Sequence, residues 1–289
     1  MEDITTLRQA LPYIQKFKGR VFVVKIGGEA IRNTTALERL VGDVALLHNV
    51  GIRLVLVHGA NPQINSLSQR LNLEIKKVGG RRITDGETLE VLKMALAGQV
   101  NTDIVSQFRR HNVKAVGLTG LSADLLQATR RPPRKVDGAD GPIDFGFVGD
   151  IQQVDVGLLR SLLDQDYLPV IAPLGADKNG QALNINADVA ASHIAITLKA
   201  DKLLLMTGPL GVMTDPADEN SLIATLTARE TREAIDNGII TEGMIPKVQE
   251  ALNALGHGVP QAHIISAIEP HQLLLEVFTN TGCGTMFVP

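Results

Sequence analysis

A lysine beside two glycines is the first candidate for phosphate chemistry in this chain. Lys25 lies near the end of an apolar, β-branched run at residues 21–26, and Gly27 and Gly28 follow it almost at once. An ammonium group at the mouth of a buried strand, next to backbone without side chains, suits a phosphate anion. The ordinary alternative is a strand-end lysine that reaches solvent beside a turn in which glycine serves only to reverse the chain.

Two further charged residues fall at predicted helix starts. Asp188 comes just before an apolar helix predicted for 189–198, where capping the helix is the commoner role of an aspartate. Lys247 falls in the first turn of a helix opened by Pro246, a favoured position for proline. Because the amino end of a helix carries partial positive charge, a lysine there favours an anionic partner.

One arginine suits the recognition of a carboxylate, and a polar segment precedes the predicted helix at 189–198. Arg82 lies in a polar segment at 80–85, and a guanidinium binds a carboxylate in bidentate fashion better than a lysine does. A solvated basic turn is the alternative for this segment. Asn184 belongs to a segment at 183–188 in which polar and apolar residues alternate before the predicted helix.

Apolar runs separated by stretches of helical spacing predict the fold. The runs lie at 21–26, 52–57, 113–118, 168–172, 202–206 and 262–266. The helical stretches include 37–47, 86–110, 228–237 and 246–255. This alternation is typical of an α/β protein, and we predict a three-layer αβα sandwich with a central, mostly parallel sheet. Proline and glycine clusters within 126–149 predict a hairpin excursion over the sheet edge or the substrate mouth.

The overall composition argues against several classes of function. The 289 residues carry a formal net charge of -3 without a basic patch, so we expect no nucleic-acid partner. No apolar stretch approaches the roughly 20 residues of a membrane span, and the first residues lack the pattern of a signal peptide, so we expect a cytoplasmic protein without membrane contact. Cys283 is the sole cysteine, and no P-loop, dinucleotide or zinc-protease motif occurs, so we expect no metal site built by the protein.

Six short segments, taken in order along the chain, resemble one known family. The segments are Lys25-Ile26-Gly27-Gly28, His58-Gly59, Gly80-Arg81-Arg82-Ile83-Thr84-Asp85, Asn184-Ile185-Asn186-Ala187-Asp188, residues 237–244 with Lys247, and residues 282–286. Together they resemble the amino acid kinase family, most closely its members that act on N-acetyl-L-glutamate, and the resemblance covers nearly the whole chain. It implies ATP-dependent phosphorylation of the side-chain carboxylate of N-acetyl-L-glutamate in arginine biosynthesis, with Mg²⁺ carried by the ATP.

The resemblance also implies roles for three groups of residues. The catalytic group would neutralise charge on the transferring γ-phosphoryl and consists of Lys25, Lys247 and Asp188. The substrate-binding group consists of Gly59, Ala60, Asn61, Arg82 and Asn184. The ATP-binding group consists of Gly27, Gly28, Thr207, Gly208, Gly211, Ile239 and Thr241.

The family pattern divides the chain into two lobes and an N-terminal helix. Residues 19–178 would bind the amino-acid substrate and residues 179–289 would bind ATP, with a boundary near 175–180. Residues 1–18 carry an apolar stripe at helical spacing that contains Pro12, which predicts a kinked helix. This helix packs either on its own chain or on another subunit. It resembles the helices that interlace dimers into a hexamer in arginine-inhibited members, which implies a homo-oligomer, either a dimer or a hexamer.

Two loops depart from the family pattern. The loop after the second strand usually reads His-Gly-Gly-Gly in the family, and Ala60 and Asn61 replace its last two glycines. Gly208 follows Thr207 where an aspartate is usual. Added side chains after Gly59 could narrow the site or force another backbone angle, since glycine alone is indifferent to positive φ. The altered loop resembles the kinase-like domain of N-acetylglutamate synthases, but the sequence stops at Pro289, so we expect no synthase activity.

The departures leave two alternatives beside the kinase of N-acetyl-L-glutamate. One is a kinase for a related acylated or carrier-linked amino acid, and the other is a non-catalytic, arginine-binding regulatory protein. The retained lysines and Asp188 favour a working kinase. The segment 273–279 followed by Gly282 also resembles the arginine site of inhibited members, with Glu276 placed to meet a guanidinium. A helix and last strand that simply complete the sheet are the other interpretation of this segment.

Overall fold

The computed structural model describes residues 2–136, 141–215, 217–240, 243–279 and 282–289. Its strands, numbered in chain order, are β1 (Val21–Ile26), β2 (Arg53–His58), β3 (Lys77–Val78), β4 (Arg81–Arg82), β5 (Ala115–Thr119), β6 (Leu126–Arg130), β7 (Gly149–Val154), β8 (Leu168–Ala172), β9 (Leu174–Ala176), β10 (Ala182–Asn184), β11 (Lys202–Thr207), β12 (Thr225–Thr227), β13 (Ala262–Ser266) and β14 (Thr285–Val288). Its α-helices are α1 (Glu2–Phe17), α2 (Gly28–Arg32), α3 (Thr34–Asn49), α4 (Asn61–Arg70), α5 (Gly86–Lys93), α6 (Asn101–Phe108), α7 (Gly157–Asp164), α8 (Ala187–Leu198), α9 (Ala228–Asp236), α10 (Ile245–Gly256) and α11 (Gln272–Phe278).

The principal sheet has eight strands in the order β12-β14-β13-β11-β1-β2-β8-β5. Its pairings are parallel except between β13 and β14. All six predicted apolar runs supply strands of this sheet, with small shifts in their ends. The run at 113–118 begins as a strand only at Ala115, because the N–H of Val113 bonds back to the carbonyl of Phe108 at the end of the preceding helix.

Both faces of the sheet are buried, which confirms the three-layer arrangement. On β11, Leu204 belongs to one hydrophobic cluster with helices α3 and α11, whereas Leu203 and Leu205 belong to the other cluster with helices α8 and α10. Alternate residues therefore enter opposite layers, as strand geometry requires. Continuous apolar runs are what such doubly covered parallel strands need.

One long helical stretch, 86–108, contains a local irregularity. Between α5 and α6 the residues Met94–Val100 form a π-helical segment, and α6 begins at Asn101. The periodicity of the sequence predicts the stretch but not the wider turn. Asp85 begins it by accepting a hydrogen bond from the N–H of Thr88 at 2.9 Å.

The predicted excursion at 126–149 contains an antiparallel pair. Strands β6 and β7 join β9 and β10 in a small sheet of order β10-β9-β6-β7. Two backbone hydrogen bonds hold this segment beside the candidate substrate-binding residues. The N–H of Phe147 donates to the carbonyl of Thr84, and the N–H of Asn184 donates to the carbonyl of Phe147. A Cβ on Gly146, whose φ is +72°, would lie 2.2 Å from the oxygen of Thr84, so this turn requires glycine.

The division into two lobes and an N-terminal helical unit stays a prediction. Strand β1 pairs with β2 on one side and β11 on the other, so the same sheet runs through both predicted lobes. Helix α1 contains Pro12 and ends where the ring of Phe17 meets that of Phe22 at 5.3 Å. Among the described helices, none is long and apolar enough to cross a membrane.

Candidate active site

Asp188 lies between the two candidate phosphate lysines. Its Oδ1 is 2.7 Å from Lys25 Nζ, and its Oδ2 is 3.1 Å from Lys247 Nζ. The side chains of Lys25 and Asp188 are each 7% exposed, whereas that of Lys247 is 21% exposed. The cluster carries two positive charges and one negative, so it attracts an anion, and Lys247 is its more open side.

Asn186 caps helix α8, so Asp188 can pair with the two lysines instead. The side chain of Asn186 caps α8 by accepting hydrogen bonds from the N–H groups of Asp188 and Val189, at 2.8 and 3.2 Å. Asp188 is therefore not the cap, which removes the commoner sequence interpretation. It lies in the first turn of α8, beside the carboxyl end of β1.

Burial and charge act against each other in this cluster. Burial opposes ionisation of Asp188, but the two ammonium groups outweigh it and hold the pKa of Asp188 below its ordinary value. Burial is also the largest influence on Lys25 and, with repulsion from Lys247, lowers the pKa of Lys25 despite the attraction of Asp188. Lys25 thus depends on Asp188 to keep its charge, and a bound anion would favour that charge further.

The glycine turn after β1 packs against the loop after β2. A Cβ on Gly28 would lie 2.7 Å from Pro62 Cδ and 2.9 Å from the nitrogen of Asn61, so only glycine permits this approach. Gln63 joins the same loops by donating from Nε2 to the carbonyl of Gly28 at 3.1 Å. The two loops consequently form one wall beside Lys25.

The unusual residues of the second loop fit without strain. Ala60 has φ -153° and ψ 27° and precedes α4 as its N-cap residue. Asn61 opens α4 and is absent from the residues with positive φ. The concern that these side chains force another φ is therefore removed, and Ala60 is buried with an exposure of 3%.

Arg82 lies under the exposed side chain of Asn61. Its Nη2 donates to Asn65 Oδ1 at 2.7 Å and lies 3.5 Å from Asn61 Oδ1. Its Nη1 is buried and has no hydrogen-bond partner among the described residues. Burial lowers the pKa of Arg82, and a guanidinium with an unused buried donor suits a ligand carboxylate. A merely solvated basic turn is excluded for this residue.

Asn184 closes the opposite wall. Its Nδ2 donates to Thr84 Oγ1 at 3.1 Å, and Asp188 follows four residues later. Contacts therefore connect Gly28 with Asn61, Asn61 with Arg82, and Thr84 with Asn184. The predicted catalytic and substrate residues lie around the carboxyl ends of β1 and β2, the region called the cleft from here on, where ligands of open α/β sheets bind.

The described ATP candidates extend from the same end of the sheet. Gly27 approaches the carbonyl of Met206, to which a Cβ on Gly27 would be 3.6 Å, and Thr207 ends β11. The carbonyl of Gly208 accepts a hydrogen bond from Ser266 Oγ at 3.3 Å, and a Cβ on Gly208 would meet nothing within 4 Å. An aspartate, which is usual at position 208 in the family, would therefore also fit there.

The remaining ATP candidates are less directly connected to the cleft. Gly211 packs against Thr285, whose Oγ1 would be 2.6 Å from a Cβ there, so this glycine has a packing role. Ile239 is partly buried against the core cluster of α8 and α10. Thr241 lies outside the described residues.

A second cavity lies near the amino ends of β11 and β13, away from the cleft. It measures about 260 Å³, and its lining includes Tyr13, Lys16, Lys202, His263, Glu276 and Gly282. His263 Nδ1 is 2.6 Å from Glu276 Oε1, and the N–H of Cys283 donates to Glu276 Oε2 at 2.8 Å. Burial alone would raise the pKa of Glu276, but His263 and the loop amides outweigh it and lower the pKa to about 2. Glu276 thus places a negative charge in the lining of this cavity.

Comparison with known proteins decides the family. Residues 20–266 match the amino acid kinase family. The chain belongs to the amino acid kinase family. It is 46% identical over 288 residues to the acetylglutamate kinase of Heliobacterium modesticaldum, covering 99% of this chain and 98% of that protein. It is 45% identical over 289 residues to the acetylglutamate kinase of Desulfitobacterium hafniense, covering 99% and 97%.

Solved structures place the chain in the same amino acid kinase fold. The N-acetylglutamate synthase of Neisseria gonorrhoeae, complexed with coenzyme A and N-acetyl-glutamate, matches with a TM-score of 0.85 and 29% identity. The match covers 99% of this chain and 63% of the synthase, so this chain spans less than two thirds of that protein. The carbamate kinase of Giardia lamblia bound to AMP-PNP matches with a TM-score of 0.67, 18% identity and coverage of 93% and 98%, which shows the fold alone.

Sequence reasoning missed four supporting side chains of this amino acid kinase. Gln63 and Asn65 lie on α4, Thr84 follows β4, and Asn186 caps α8. Asn186 carried a usable signal, because asparagine is a preferred cap and this one lies three residues before the predicted helix at 189–198. The other three act through contacts distant in sequence, which no local pattern indicates.

We predict that Asp188→Asn destabilises the protein by about 3–5 kcal/mol, because it leaves two buried or half-buried ammonium groups without their counter-charge. Asp164→Asn is the matched control, since the ion pair of Asp164 with Arg53 is exposed and such pairs contribute less than about 1 kcal/mol. Urea denaturation of both variants measures the difference. Equal, small losses would contradict the buried ion pairs.

The same variants test the pH dependence. Because the folded protein lowers the pKa of Asp188, its charge stabilises the fold fully above the ordinary value of 3.8 and ceases to do so as the pH falls through the lowered pKa. The unfolding free energy of the wild type should therefore fall more steeply on the acid side than that of Asp188→Asn. Parallel acid slopes would contradict an ionised Asp188.

Proposed function

We propose that this amino acid kinase transfers the γ-phosphoryl group of ATP to the side-chain carboxylate of N-acetyl-L-glutamate, a step in arginine biosynthesis. The observation that carries the proposal is the Lys25–Asp188–Lys247 cluster in a chain that matches acetylglutamate kinases over almost their whole length. Fold membership alone would not suffice, because one fold hosts several reactions. The charges of the cleft suit this reaction specifically.

The chemical problem is the approach of two anions. A glutamate-type carboxylate has a pKa near about 4.3, so at neutral pH it is already a nucleophile and needs no general base. Lys25 and Lys247 would neutralise the oxygens of the transferring phosphoryl group, and Asp188 would fix the positions of both ammonium groups. Positioning and charge stabilisation are the main requirements of phosphoryl transfer, so few side chains are needed.

The side chains around Asp188 suit Mg²⁺ that is bound by ATP and not by the protein. Both oxygens of Asp188 already face ammonium groups, and the described residues contain no group of three or more His, Cys, Asp or Glu side chains that could hold a metal ion. Mg²⁺ would therefore be bound through the phosphates of ATP and supply charge neutralisation there. The backbone of Gly27 and Gly28 would lie beside those phosphates.

Substrate recognition falls to the opposite walls of the cleft. Arg82 would bind a carboxylate of the substrate through its unused Nη1, and Asn184 would bind the acetyl amide while Thr84 holds its side chain. Ala60 and Asn61 lie between these groups and Gly28, where they would limit the size of the ligand. A related acylated or carrier-linked amino acid is the second candidate substrate, because these two residues replace glycines at that position.

We predict that the protein, given ATP, magnesium, N-acetyl-L-glutamate and hydroxylamine, forms an acyl hydroxamate. Lys247→Ala should lower turnover by about a hundredfold to a thousandfold, because it removes a cation from the transition state. Lys178→Ala, which changes an exposed lysine away from the cleft, is the matched control and should retain the activity.

The assay also separates the alternatives. Hydroxamate formed with another acylated amino acid alone would keep the phosphoryl transfer and change the substrate. A folded protein that forms none, but binds arginine, would be a regulatory protein, and the kinase proposal would be wrong.

We further propose that the second cavity binds arginine as a regulator. Glu276 supplies a buried carboxylate there, and a Cβ on Gly282, whose φ is +62°, would lie 2.9 Å from Glu276 Oε2, so glycine is required beside it. Tyr13 and Lys16 of α1 reach the same cavity. Arginine would thereby connect α1 to the segment after α11.

We expect Glu276→Gln to weaken arginine binding by about tenfold to a hundredfold, because hydrogen bonds to a charged partner contribute about 1.5–3 kcal/mol. Isothermal titration calorimetry with arginine measures this, and Glu74→Gln on the exposed surface is the control. The carboxylate lies far from the cleft, so turnover without arginine should persist. Equal arginine affinities in the two variants would contradict this site.

Assembly into a dimer or hexamer also belongs to the proposal. Leu11 of the apolar stripe on α1 is 49% exposed, which supports a partner surface outside the chain. We predict that removing residues 1–11, which leaves Tyr13 and Phe17 in place, lowers the mass of the native assembly in light scattering. An unchanged mass would show that α1 does not join subunits.

A further inference from the structure

We propose that Asn101 and His58 are positioning residues that orient the substrate loop at Gly59–Ala60. The inference rests on the proposed function, since the loop matters only if the cleft binds the acceptor carboxylate. Neither side chain belongs to the groups assigned above. Both lie beneath the loop, on the side of the sheet covered by α6.

His58 connects the end of a central strand to the loop. It is the last residue of β2 and is fully buried. Its Nδ1 lies 3.4 Å from the carbonyl oxygen of Gly59, and the N–H of Gly59 donates to the carbonyl of Ile26 at 2.8 Å. Since a peptide unit is planar, fixing the Gly59 carbonyl also fixes the N–H of Ala60.

Asn101 determines which nitrogen of His58 carries the proton. Its Nδ2 lies 3.1 Å from His58 Nε2 and donates to the carbonyl of Val170 at 3.0 Å. An amide NH₂ can only donate, so Nε2 must accept and the ring proton belongs to Nδ1. Nδ1–H then faces the Gly59 carbonyl as a donor. Burial lowers the pKa of His58 to about 4, so this neutral form persists at neutral pH.

The surrounding backbone is shaped around Asn101. A Cβ on Gly117 of β5 would lie 2.2 Å from Asn101 Oδ1, so the amide rests directly on the sheet where this strand has no side chain. Asn101 also follows the π-helical segment Met94–Val100, and such wide turns are frequent at functional sites. The amide spans β2 and β8 at the level of the loop, which an ordinary packing residue would not require.

Asn101→Asp tests the role with little change of shape. The carboxylate would replace a donor by an acceptor toward His58 and the Val170 carbonyl, so the neutral ring would carry its proton on Nε2 and its Nδ1 would face the Gly59 carbonyl without one. We expect KM for N-acetyl-L-glutamate to rise by at least about tenfold, because small displacements of reacting groups can cost up to a hundredfold, while KM for ATP stays unchanged. The loss should shrink as the pH falls toward 6, because a second proton on the ring restores Nδ1–H, whereas the wild type, with neutral His58, shows no such change.

Two further variants separate positioning from stability. Gly117→Ala displaces the Asn101 amide without touching the loop, and it should reproduce the selective rise in KM. Val105→Ala removes a side chain next to Gly117 but no hydrogen bond, and it should lower the melting temperature without changing the ratio of the two KM values. The Nδ1–H tautomer is measured independently by ¹⁵N NMR of the substrate-free wild type.

The outcomes are distinguishable. If Asn101→Asp and Gly117→Ala lower only stability, as Val105→Ala does, or if His58 carries its proton on Nε2, the positioning role is wrong and the kinase proposal stands. If the wild type phosphorylates no carboxylate, the proposed function fails and the positioning role fails with it.

Discussion

The arrangement of the cleft depends on a buried carboxylate that faces two cations. Asp188 favours the charged form of Lys25 where burial alone would favour the neutral form, and its ion pairs with Lys25 and Lys247 join the central strand β1 to helices α8 and α10. One negative charge does not neutralise two ammonium groups, so the charges of the cluster are balanced only when an anion binds. Asn186 makes this possible by taking over the cap of α8. Stability and ligand preference therefore arise from the same three side chains.

A second constraint is the narrow separation of the loops after β1 and β2. Neighbouring parallel strands bring their following turns together, and the contact of Gly28 with Asn61 and Pro62 leaves no room for a Cβ on the first loop. The second loop has more freedom. Its Ala60 adopts a negative φ and its Asn61 starts a helix, so side chains are tolerated there. The first loop therefore requires glycine at position 28, whereas the second loop accommodates side chains.

The sequence predicts the layers and much of the cleft, but not the hydrogen bonds that hold it. Runs such as 168–172 identify doubly buried strands because every residue is apolar. Lys25 and Lys247 stand out because one lies in an apolar strand and the other in the first turn of a helix, and Arg82 because its guanidinium suits a carboxylate. The partners of Arg82 and Asn184 could not be foreseen, because Asn65 and Thr84 are common polar residues with no local conflict. The contact between Asn101 and His58 could not be foreseen either, because the two residues are 43 positions apart. The π-helical turn escapes prediction because it leaves the hydrophobic periodicity almost unchanged. Boundaries such as Ala115 depended on a single backbone hydrogen bond.

The strand order has a consequence for biosynthesis. Strand β14 lies between β12 and β13, although it follows both in the chain, and its Thr285 fills the space beside Gly211 and accepts a hydrogen bond from the N–H of Val212. As the polypeptide leaves the ribosome, β12 cannot join the sheet and the loop after β11 cannot close until residues 285–288 have emerged. The strands from β1 to β11 can form their pairs earlier. The pairing of β12 with β14 therefore comes late in the assembly of this sheet during translation.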